Sequence, residues 1–323
     1  MAGQEALPAL QERKYTWAVG GGKGGTGKSF LTASLGIQLA RLGRNTVIVD
    51  ADLGAANLHT CLGIKSPKAT LADFLSGDVP SLEELLLDTP VEGLKLISAA
   101  RDVFEIANPR FQQKLRLIRH IQKLPAEFII VDIGGGSSFN IVDFFLSANT
   151  GIMLTNPEPT SVENAYRFLK SAILRKLYRT ADGRDLKQTM RKALAQANGQ
   201  EIKTIHDLIQ QVRPYNGVVA ERLERAMREF RPVLILNQTR REEDIDLGQA
   251  IEDIARKYLG VDLRYVGAIP YDEQVHLAIK RFKPLLTEYP ASRSAASIET
   301  ITRTLLSMTE QGGRRINAVE QSR

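Results

Sequence analysis

The sequence predicts an α/β protein with a doubly wound, mostly parallel sheet and an inserted basic helical subdomain. Short continuous apolar runs alternate with longer helical patterns, which is typical of parallel strands that are buried on both faces. Right-handed crossovers between such strands place helices on both sides of the sheet. The predicted strands are 16–19, 46–50, 94–98, 128–132, 152–155, 233–237 and 265–269.

Composition excludes several classes of protein. The 323 residues are 43% hydrophobic and 25% charged, so the chain is neither collagen-like nor wholly disordered. The single cysteine, Cys61, excludes an internal disulfide and a cysteine-rich zinc or iron–sulfur site, and it favours a reducing, cytoplasmic setting. No apolar run is long enough for a transmembrane helix, and the N-terminus lacks the apolar core of a secretion signal.

The organisation along the chain has one interruption. We expect a mobile leader over 1–14, a main domain over 15–308 and a frayed tail over 309–323. Within the main domain the periodicity is helical from 160 to 232, and we expect a helical insertion at about 175–231 there. Residues 165–231 hold 15 lysines and arginines against 7 acidic residues, whereas the whole chain has a net charge of +6. A solvated helical face is the simpler interpretation, and a surface for nucleic acid or an acidic partner is the alternative.

A glycine-rich motif over residues 22–29 fits the phosphate-binding pattern GxxxxGK(S/T), between a predicted strand and a predicted helix. Its glycines let backbone N–H groups point into one concavity, and the helix that begins at Lys28 directs its N-terminal dipole at an anion. We expect Lys28 to reach the β- and γ-phosphates of ATP and the Ser29 hydroxyl to ligate Mg²⁺. The predicted nucleotide-contacting residues of this segment are Gly22, Gly24, Gly25, Thr26, Gly27, Lys28, Ser29 and Phe30.

Carboxylates follow two of the predicted strands. Asp50 ends the strand at 46–50, and Asp132 ends the strand at 128–132. Ligands of α/β proteins bind at the carboxyl ends of strands, so Asp50 and Asp132 are candidate groups for the magnesium shell. Asp50 could instead cap the helix that follows.

Lys23, a second lysine within the loop, is not required by the general pattern. With it the loop resembles that of the MinD/ParA family of P-loop ATPases, which reads KGGxGK(S/T). The resemblance implies a MinD-like P-loop fold and an ATP-bound homodimer in which Lys23 reaches the phosphates of the partner subunit. Lys23 would then act as an arginine finger does. The implied catalytic residues are Lys23, Lys28 and Asp52, with Asp52 orienting the attacking water.

Later segments extend the resemblance. Asp132 and Gly136 match the first and last residues of the family's DxxAG pattern. In this chain Gly135 stands where the family has alanine. The resemblance implies that Gly136 lets the second switch approach the γ-phosphate. The residues implied around the adenine are Asn237, at the end of a strand, and Pro270 and Asp272 of a GxIPxD loop.

Within the family, the segment around the loop and the KPLLTEYPASRSAASI segment look most like FlhG-type proteins, which control flagellar number and placement. This implies a switch whose slow ATP hydrolysis is stimulated by an activating protein partner. The alternatives are a ParA-like partition ATPase that binds non-specific DNA through the basic residues of 165–231, and an adaptor ATPase for another cargo. The C-terminal residues lack bulky apolar anchors, so direct membrane binding is not expected. We expect a cytoplasmic protein and leave recruitment to a pole or to the nucleoid open.

Overall fold

The computed structural model describes residues 13–65, 67, 69–99, 109–180, 188 and 204–320, with side chains to 312. Most of the expected leader, residues 1–12, therefore lies outside the described residues. The strands are β1 (Tyr15–Gly21), β2 (Thr46–Asp50), β3 (Leu87–Asp88), β4 (Leu94–Ile97), β5 (Phe128–Gly135), β6 (Thr150–Thr155), β7 (Val233–Thr239) and β8 (Arg264–Pro270). The α-helices of the first half are α1 (Lys28–Arg41), α2 (Leu58–Cys61), α3 (Leu71–Ser76), α4 (Phe111–Ile121), α5 (Phe139–Ser147) and α6 (Pro159–Thr180). Those of the second half are α7 (Ile205–Val212), α8 (Gly217–Glu229), α9 (Glu242–Ile254), α10 (Glu273–Lys280), α11 (Leu285–Glu288) and α12 (Arg293–Glu320). A short 3-10 helix spans Leu82–Leu85, and a π-helical turn spans Ala255–Leu259.

The eight strands form one sheet in the order β3-β4-β2-β5-β1-β6-β7-β8. All neighbouring strands are parallel except the short β3, which pairs antiparallel with β4. The mostly parallel α/β fold predicted from the sequence is thus confirmed. All seven predicted strands are present, whereas the two-residue β3 was not predicted.

The sheet separates two apolar cores. Trp17 and Val19 of β1 face α1 and α12, whereas Ala18 between them belongs to the core on the other side. Successive strand residues point to opposite faces, so a strand that is covered on both sides must be apolar throughout. This explains why the central strands read as continuous apolar runs.

The predicted start of the helical insertion, at about 175, falls within α6. Helix α6 runs unbroken through the expected boundary at 175, because its buried face continues with Ile173 and Leu177. Helices α7 and α8 bury Val212 and Leu223 in the same core as the adjacent face of the sheet. Residues 181–203 of the predicted insertion lie outside the described residues, apart from 188.

The first residues of the expected frayed tail, 309–323, are helical in the structure. Helix α12 continues to Glu320, and two contacts hold it where fraying was expected. The indole Nε1 of Trp17 donates to Thr309 Oγ1 at 3.2 Å, and Arg44 pairs with Glu310 at 2.6 Å. In the part of the chain that the structure describes, no helix is long and apolar enough to cross a membrane.

A buried ion cluster joins three helices on one side of the sheet. Asp143 of α5 accepts hydrogen bonds from Lys114 Nζ of α4 at 2.5 Å and from Arg175 Nε of α6 at 2.7 Å. Asp143 and Lys114 are both buried. Each charge therefore depends on the other for compensation, because neither can be solvated by bulk water.

The Asp143→Ala substitution tests this dependence. It leaves the Lys114 ammonium buried beside an unpaired Arg175, so we expect the free energy of unfolding to fall by about 3–5 kcal/mol. Urea denaturation measures the change. The control is Asp253→Ala, which removes an exposed i,i+3 pair with Arg256 and should cost less than about 1 kcal/mol. Equal losses in the two variants would contradict the assignment.

Candidate nucleotide-binding site

The glycine-rich loop lies between β1 and α1 and is shaped by close backbone contacts. Gly25 and Gly27 have φ angles of 77° and 94°, which favour glycine. A Cβ atom on Gly22 would lie 1.9 Å from the carbonyl oxygen of Asn164 in α6, so only glycine fits there. No side chain caps the N-terminus of α1. The loop thus combines open N–H groups with a helix dipole, as an anion site requires.

Lys28 lies inside this loop. Its side chain is buried, and Nζ donates to the carbonyl oxygen of Lys23 at 3.1 Å. Burial lowers the pKa of Lys28, while the nearby carboxylates of Asp132 and Asp52 act in the opposite direction. The ammonium therefore lies between the loop backbone and the carboxylates that end the central strands.

Lys23 points away from Lys28 and contacts the segment that joins β6 to α6. Its Nζ lies 3.2 Å from Glu158 Oε2 and 3.4 Å from Thr160 Oγ1. The Lys23 and Glu158 side chains are 42% and 59% exposed. Exposed ion pairs of this kind contribute at most about 1 kcal/mol, so Lys23 can leave Glu158 at little cost. Its predicted reach into a partner subunit is untested and stays a prediction.

Asp132 of the central strand β5 is a fully buried carboxylate at the end of the sheet where the phosphate loop lies. Neither of its oxygens makes a hydrogen bond within the described residues. Burial raises its pKa, and the Ser29 hydroxyl and the Lys28 ammonium lie near enough to oppose that effect. An unpartnered buried carboxylate is costly without a cation, and carboxylate and hydroxyl oxygens are ligands that Mg²⁺ accepts. Asp132 and Ser29 therefore fit the predicted magnesium shell.

Asp50 lies beside Asp132 in the sheet, but its carboxylate oxygens have hydrogen-bond partners. Its Oδ1 accepts from the backbone N–H of Asp52, and its Oδ2 from that of Leu58, each at 3.2 Å. Burial and the charge of Asp132 raise the pKa of Asp50. Leu58 is the first residue of α2, so the geometry supports the capping alternative for Asp50. A role in the magnesium shell stays a prediction.

The three glycines after Asp132 allow other groups to approach β5, which continues to Gly135 instead of ending at 132. A Cβ atom on Gly134 would lie 3.1 Å from the Asp52 carboxylate. One on Gly135 would lie 2.8 Å from the backbone nitrogen of Gly24. The loop backbone thus occupies the space that alanine would need, which explains the departure from the DxxAG pattern. Gly136 has a φ of 107° and donates its N–H to the carbonyl of Gly21 at 3.1 Å.

Asn237, predicted to contact adenine, reaches the phosphate loop in this structure. Its Nδ2 donates to the carbonyl oxygen of Thr26 at 2.8 Å, and its Oδ1 accepts from Gln238 N at 3.0 Å. Strand β7 continues past it to Thr239. Asn237 therefore holds the loop from a neighbouring strand, a contact that the sequence did not reveal. Its adenine contact stays a prediction.

The remaining predicted residues have structural partners. Asp272 caps α10, since its Oδ1 accepts from Gln274 N at 3.0 Å, and its Oδ2 accepts from Ser294 N at 3.2 Å. The carbonyl of Pro270 accepts from Ser294 Oγ at 3.0 Å. The Phe30 side chain lies in the apolar core, so only its backbone can face a ligand. Sequence reasoning missed Glu158 as the contact of Lys23. The signal available was the segment TNPE, residues 155–158, which begins at the end of a predicted strand.

The different surroundings of Asp132 and Asp50 lead to a paired prediction. We expect Asp132→Asn to abolish stabilisation by Mg-ATP while leaving the unliganded protein at least as stable as the wild type, because the substitution removes a charge that burial disfavours and no backbone hydrogen bond is lost. Asp50→Asn places an amide group beside two backbone N–H donors, so we expect the unliganded protein to lose about 1–3 kcal/mol. Thermal denaturation with and without Mg-ATP measures both. Retained Mg²⁺-dependent stabilisation in Asp132→Asn would exclude it from the magnesium shell.

Comparisons with known proteins agree with this geometry. A family model described as the CobQ/CobB/MinD/ParA nucleotide binding domain matches residues 17–285. The antiactivator FleN of Pseudomonas aeruginosa is 27% identical over 286 residues, which are 88% of this chain and 83% of FleN. A putative septum site-determining protein MinD of Oltmannsiellopsis viridis is 27% identical over 303 residues, which are 93% of this chain and 78% of that protein.

Two solved structures confirm the fold. The septum site-determining protein MinD of Pyrococcus horikoshii, complexed with Mg-ADP, has a TM-score of 0.61 at 23% identity, covering 90% of this chain and 96% of that one. A ParA family ATPase from Chlorobium tepidum has a TM-score of 0.59 at 19% identity, covering 90% and 98%. The resemblance to the MinD/ParA group is confirmed, and with it the expectation of a magnesium nucleotide at the level of the family. The chain belongs to the CobQ/CobB/MinD/ParA family of nucleotide-binding domains.

Proposed function

We propose that this protein is an ATP-dependent dimerising switch that hydrolyses Mg-ATP to control the placement or number of a cellular structure, as FlhG-type proteins do. The arrangement of the two loop lysines carries the proposal. Lys28 is buried inside the loop, whereas Lys23 is exposed and contacts only the side chains of Glu158 and Thr160 among the described residues. This arrangement supports a role for Lys28 at the nucleotide of its own subunit and a role for Lys23 at that of a second subunit.

The residues of the site divide the chemistry between them. Backbone N–H groups of the loop and the N-terminus of α1 bind the phosphates, and Lys28 neutralises their charge. Ser29 and Asp132 would hold Mg²⁺, which neutralises charge on the transferring phosphoryl group when bound. Asp52, against Gly134 at the edge of the site, orients the attacking water.

The switch depends on the segment from Asp52 to Leu58. Asp50 binds the backbone N–H groups at both ends of this segment, so the segment is tied to the carboxyl end of β2. Contacts with a γ-phosphate would favour one arrangement of this segment over another. Partners that bind the two arrangements with different affinities then read the nucleotide state, and an activating partner accelerates hydrolysis.

The relatives support a regulatory or positioning role. FleN is named an antiactivator, and the MinD relatives are named for determining the septum site. Among these, we favour the FlhG-like role for this chain because both similar segments of the sequence, around the loop and in 283–298, point to it. We propose a cytoplasmic protein that a partner recruits to a cell pole.

DNA partition is the second candidate, because α8 presents exposed arginines at 222, 225 and 228 that make no ion pair within the described residues. Other basic residues of this region are internally occupied. Arg175 pairs with the buried Asp143 and Lys176 lies over the ring of Phe230, whereas Arg167 has only an exposed pair with Glu163. This loss of available cations favours the regulator over the DNA motor.

Substitutions of the two lysines test the switch. Lys28→Ala should abolish nucleotide binding, since the phosphates lose their buried cation. Lys23→Ala should keep nucleotide affinity but lower partner-stimulated hydrolysis by about 10³-fold or more and weaken the ATP dimer. Glu158→Gln is the matched control, because it removes the ion pair and leaves Lys23 in place. ATP affinity, turnover and mass in solution are measured for each variant. Unchanged turnover in Lys23→Ala would remove its role in a partner subunit.

Asp52→Ala distinguishes the two candidate functions. Loss of the water-orienting carboxylate should trap the ATP dimer, and we expect that dimer not to bind non-specific duplex DNA. Binding is measured with ATP and with ADP at two salt concentrations, because phosphate contacts weaken steeply with salt. ATP-dependent, salt-sensitive binding that Arg222→Ala and Arg225→Ala abolish would establish the partition ATPase instead.

A further inference from the structure

An exposed surface on α4, α5 and α6 combines two phenyl rings with an ion cluster. We define this aromatic–cation face by Phe111, Phe139, Arg175 and Arg179, with the buried Lys114 beneath it. Phe139 is 71% exposed, the highest value among the large apolar side chains of the described residues, and Phe111 is 55% exposed. Single exposed apolar residues are common, but two rings held by one ion cluster form an organised surface.

Both rings are fixed by cations of the cluster. The guanidinium of Arg175 lies 5.0 Å from the ring centre of Phe139, and Lys114 Nζ lies 5.3 Å from that of Phe111. Arg175 is itself held by two hydrogen bonds to Asp143, at 2.7 and 2.8 Å. A rigid aromatic surface of this kind loses little conformational entropy on binding, and aromatic residues with arginine are typical of binding hot spots.

The face has an excess of positive charge. Lys114, Arg175 and Arg179 all lie within 4 Å of one carboxylate, that of Asp143. Burial would raise the pKa of Asp143, but hydrogen bonds from Arg175 and Lys114 outweigh it and hold the pKa below its ordinary value. Asp143 is therefore ionised, and among the described residues it is the one carboxylate that forms an ion pair with these three cations. The nearby Lys176 has its own acidic neighbour, Glu229, and leaves the excess unchanged.

The position of the face connects it to the nucleotide site. Phe139 is the first residue of α5 and follows the glycines whose backbone packs against Asp52 and the phosphate loop. A movement of Gly134–Gly136 on nucleotide exchange would displace Phe139 directly. A partner bound here would therefore respond to the nucleotide state.

We propose that the aromatic–cation face is the docking surface for an acidic, apolar segment of a protein partner. Its carboxylates would pair with Arg179 and with Arg175 Nη1, which does not bond Asp143, and its apolar side chains would cover the two phenyl rings. That this partner is the activator rests on the proposed function, whereas the surface itself does not.

The test uses the full-length protein and a fluorescein-labelled peptide in which Glu alternates with Leu and Phe. We expect this peptide to bind, and a matched peptide with Lys in place of Glu not to bind. Phe139→Ser and Arg179→Glu should each weaken binding about tenfold or more, as hot-spot substitutions do. The control is Val218→Ser, which removes a side chain that is 60% exposed on α8 and should leave binding unchanged.

Fluorescence polarisation without nucleotide tests the surface, and a difference between ATP and ADP tests its link to the switch. Absence of binding, or equal binding by wild type and both variants, would overturn the docking surface whatever the protein hydrolyses. Loss of the ATP dimer in Phe139→Ser without any change in peptide binding would assign the face to a second copy of this chain and would also overturn the proposal. Binding that is equal with ATP and ADP would keep the surface and contradict its link to the switch.

Discussion

The burial of negative charge at the centre of the sheet is the constraint on which the rest of the site depends. Strands β2 and β5 are parallel neighbours, so their carboxyl ends place Asp50 and Asp132 side by side in the protein interior. Two buried carboxylates are tolerated only where other groups compensate them. Asp50 is compensated by backbone N–H groups, and Asp132 lies near the Lys28 ammonium but makes no hydrogen bond. Because of this difference, Asp50 is suited to holding the loop after β2, whereas Asp132 is suited to binding a metal ion.

Close backbone packing then fixes the phosphate loop against this charge. Gly22 contacts α6, Gly135 contacts the loop itself, and Asn237 holds the loop from β7. The contacts of Gly22 and Gly135 require the absence of a Cβ atom, and the contact of Asn237 requires its side-chain amide. Small side-chain changes at these positions would therefore move the loop as a whole, since dense packing transmits displacement.

The structure suggests how one nucleotide site can act on other molecules. Lys23 is held by a weak, exposed pair, so its release costs little free energy. On the other side of the site, the glycines of β5 lead directly into α5, whose Phe139 is exposed and whose Asp143 binds α4 and α6. The backbone of Lys23 packs against Gly135, so the proposed dimer contact and the proposed docking surface are both connected to the same glycine segment.

The sequence by itself determined the strands of the sheet, the glycine-rich loop, the start of α1 and the positions of Asp50 in β2 and Asp132 in β5. These features depend on local patterns, such as apolar runs, glycine spacing and the residue after a strand, which are legible in a single chain. Only the tertiary structure decided the contacts between distant segments. Trp17 donates a hydrogen bond to Thr309 in the last helix, where a frayed tail was expected. Asn237 of β7 donates one to Thr26 in the phosphate loop. Such contacts join residues hundreds of positions apart, so no local periodicity encodes them, and packing of the finished fold brings them together.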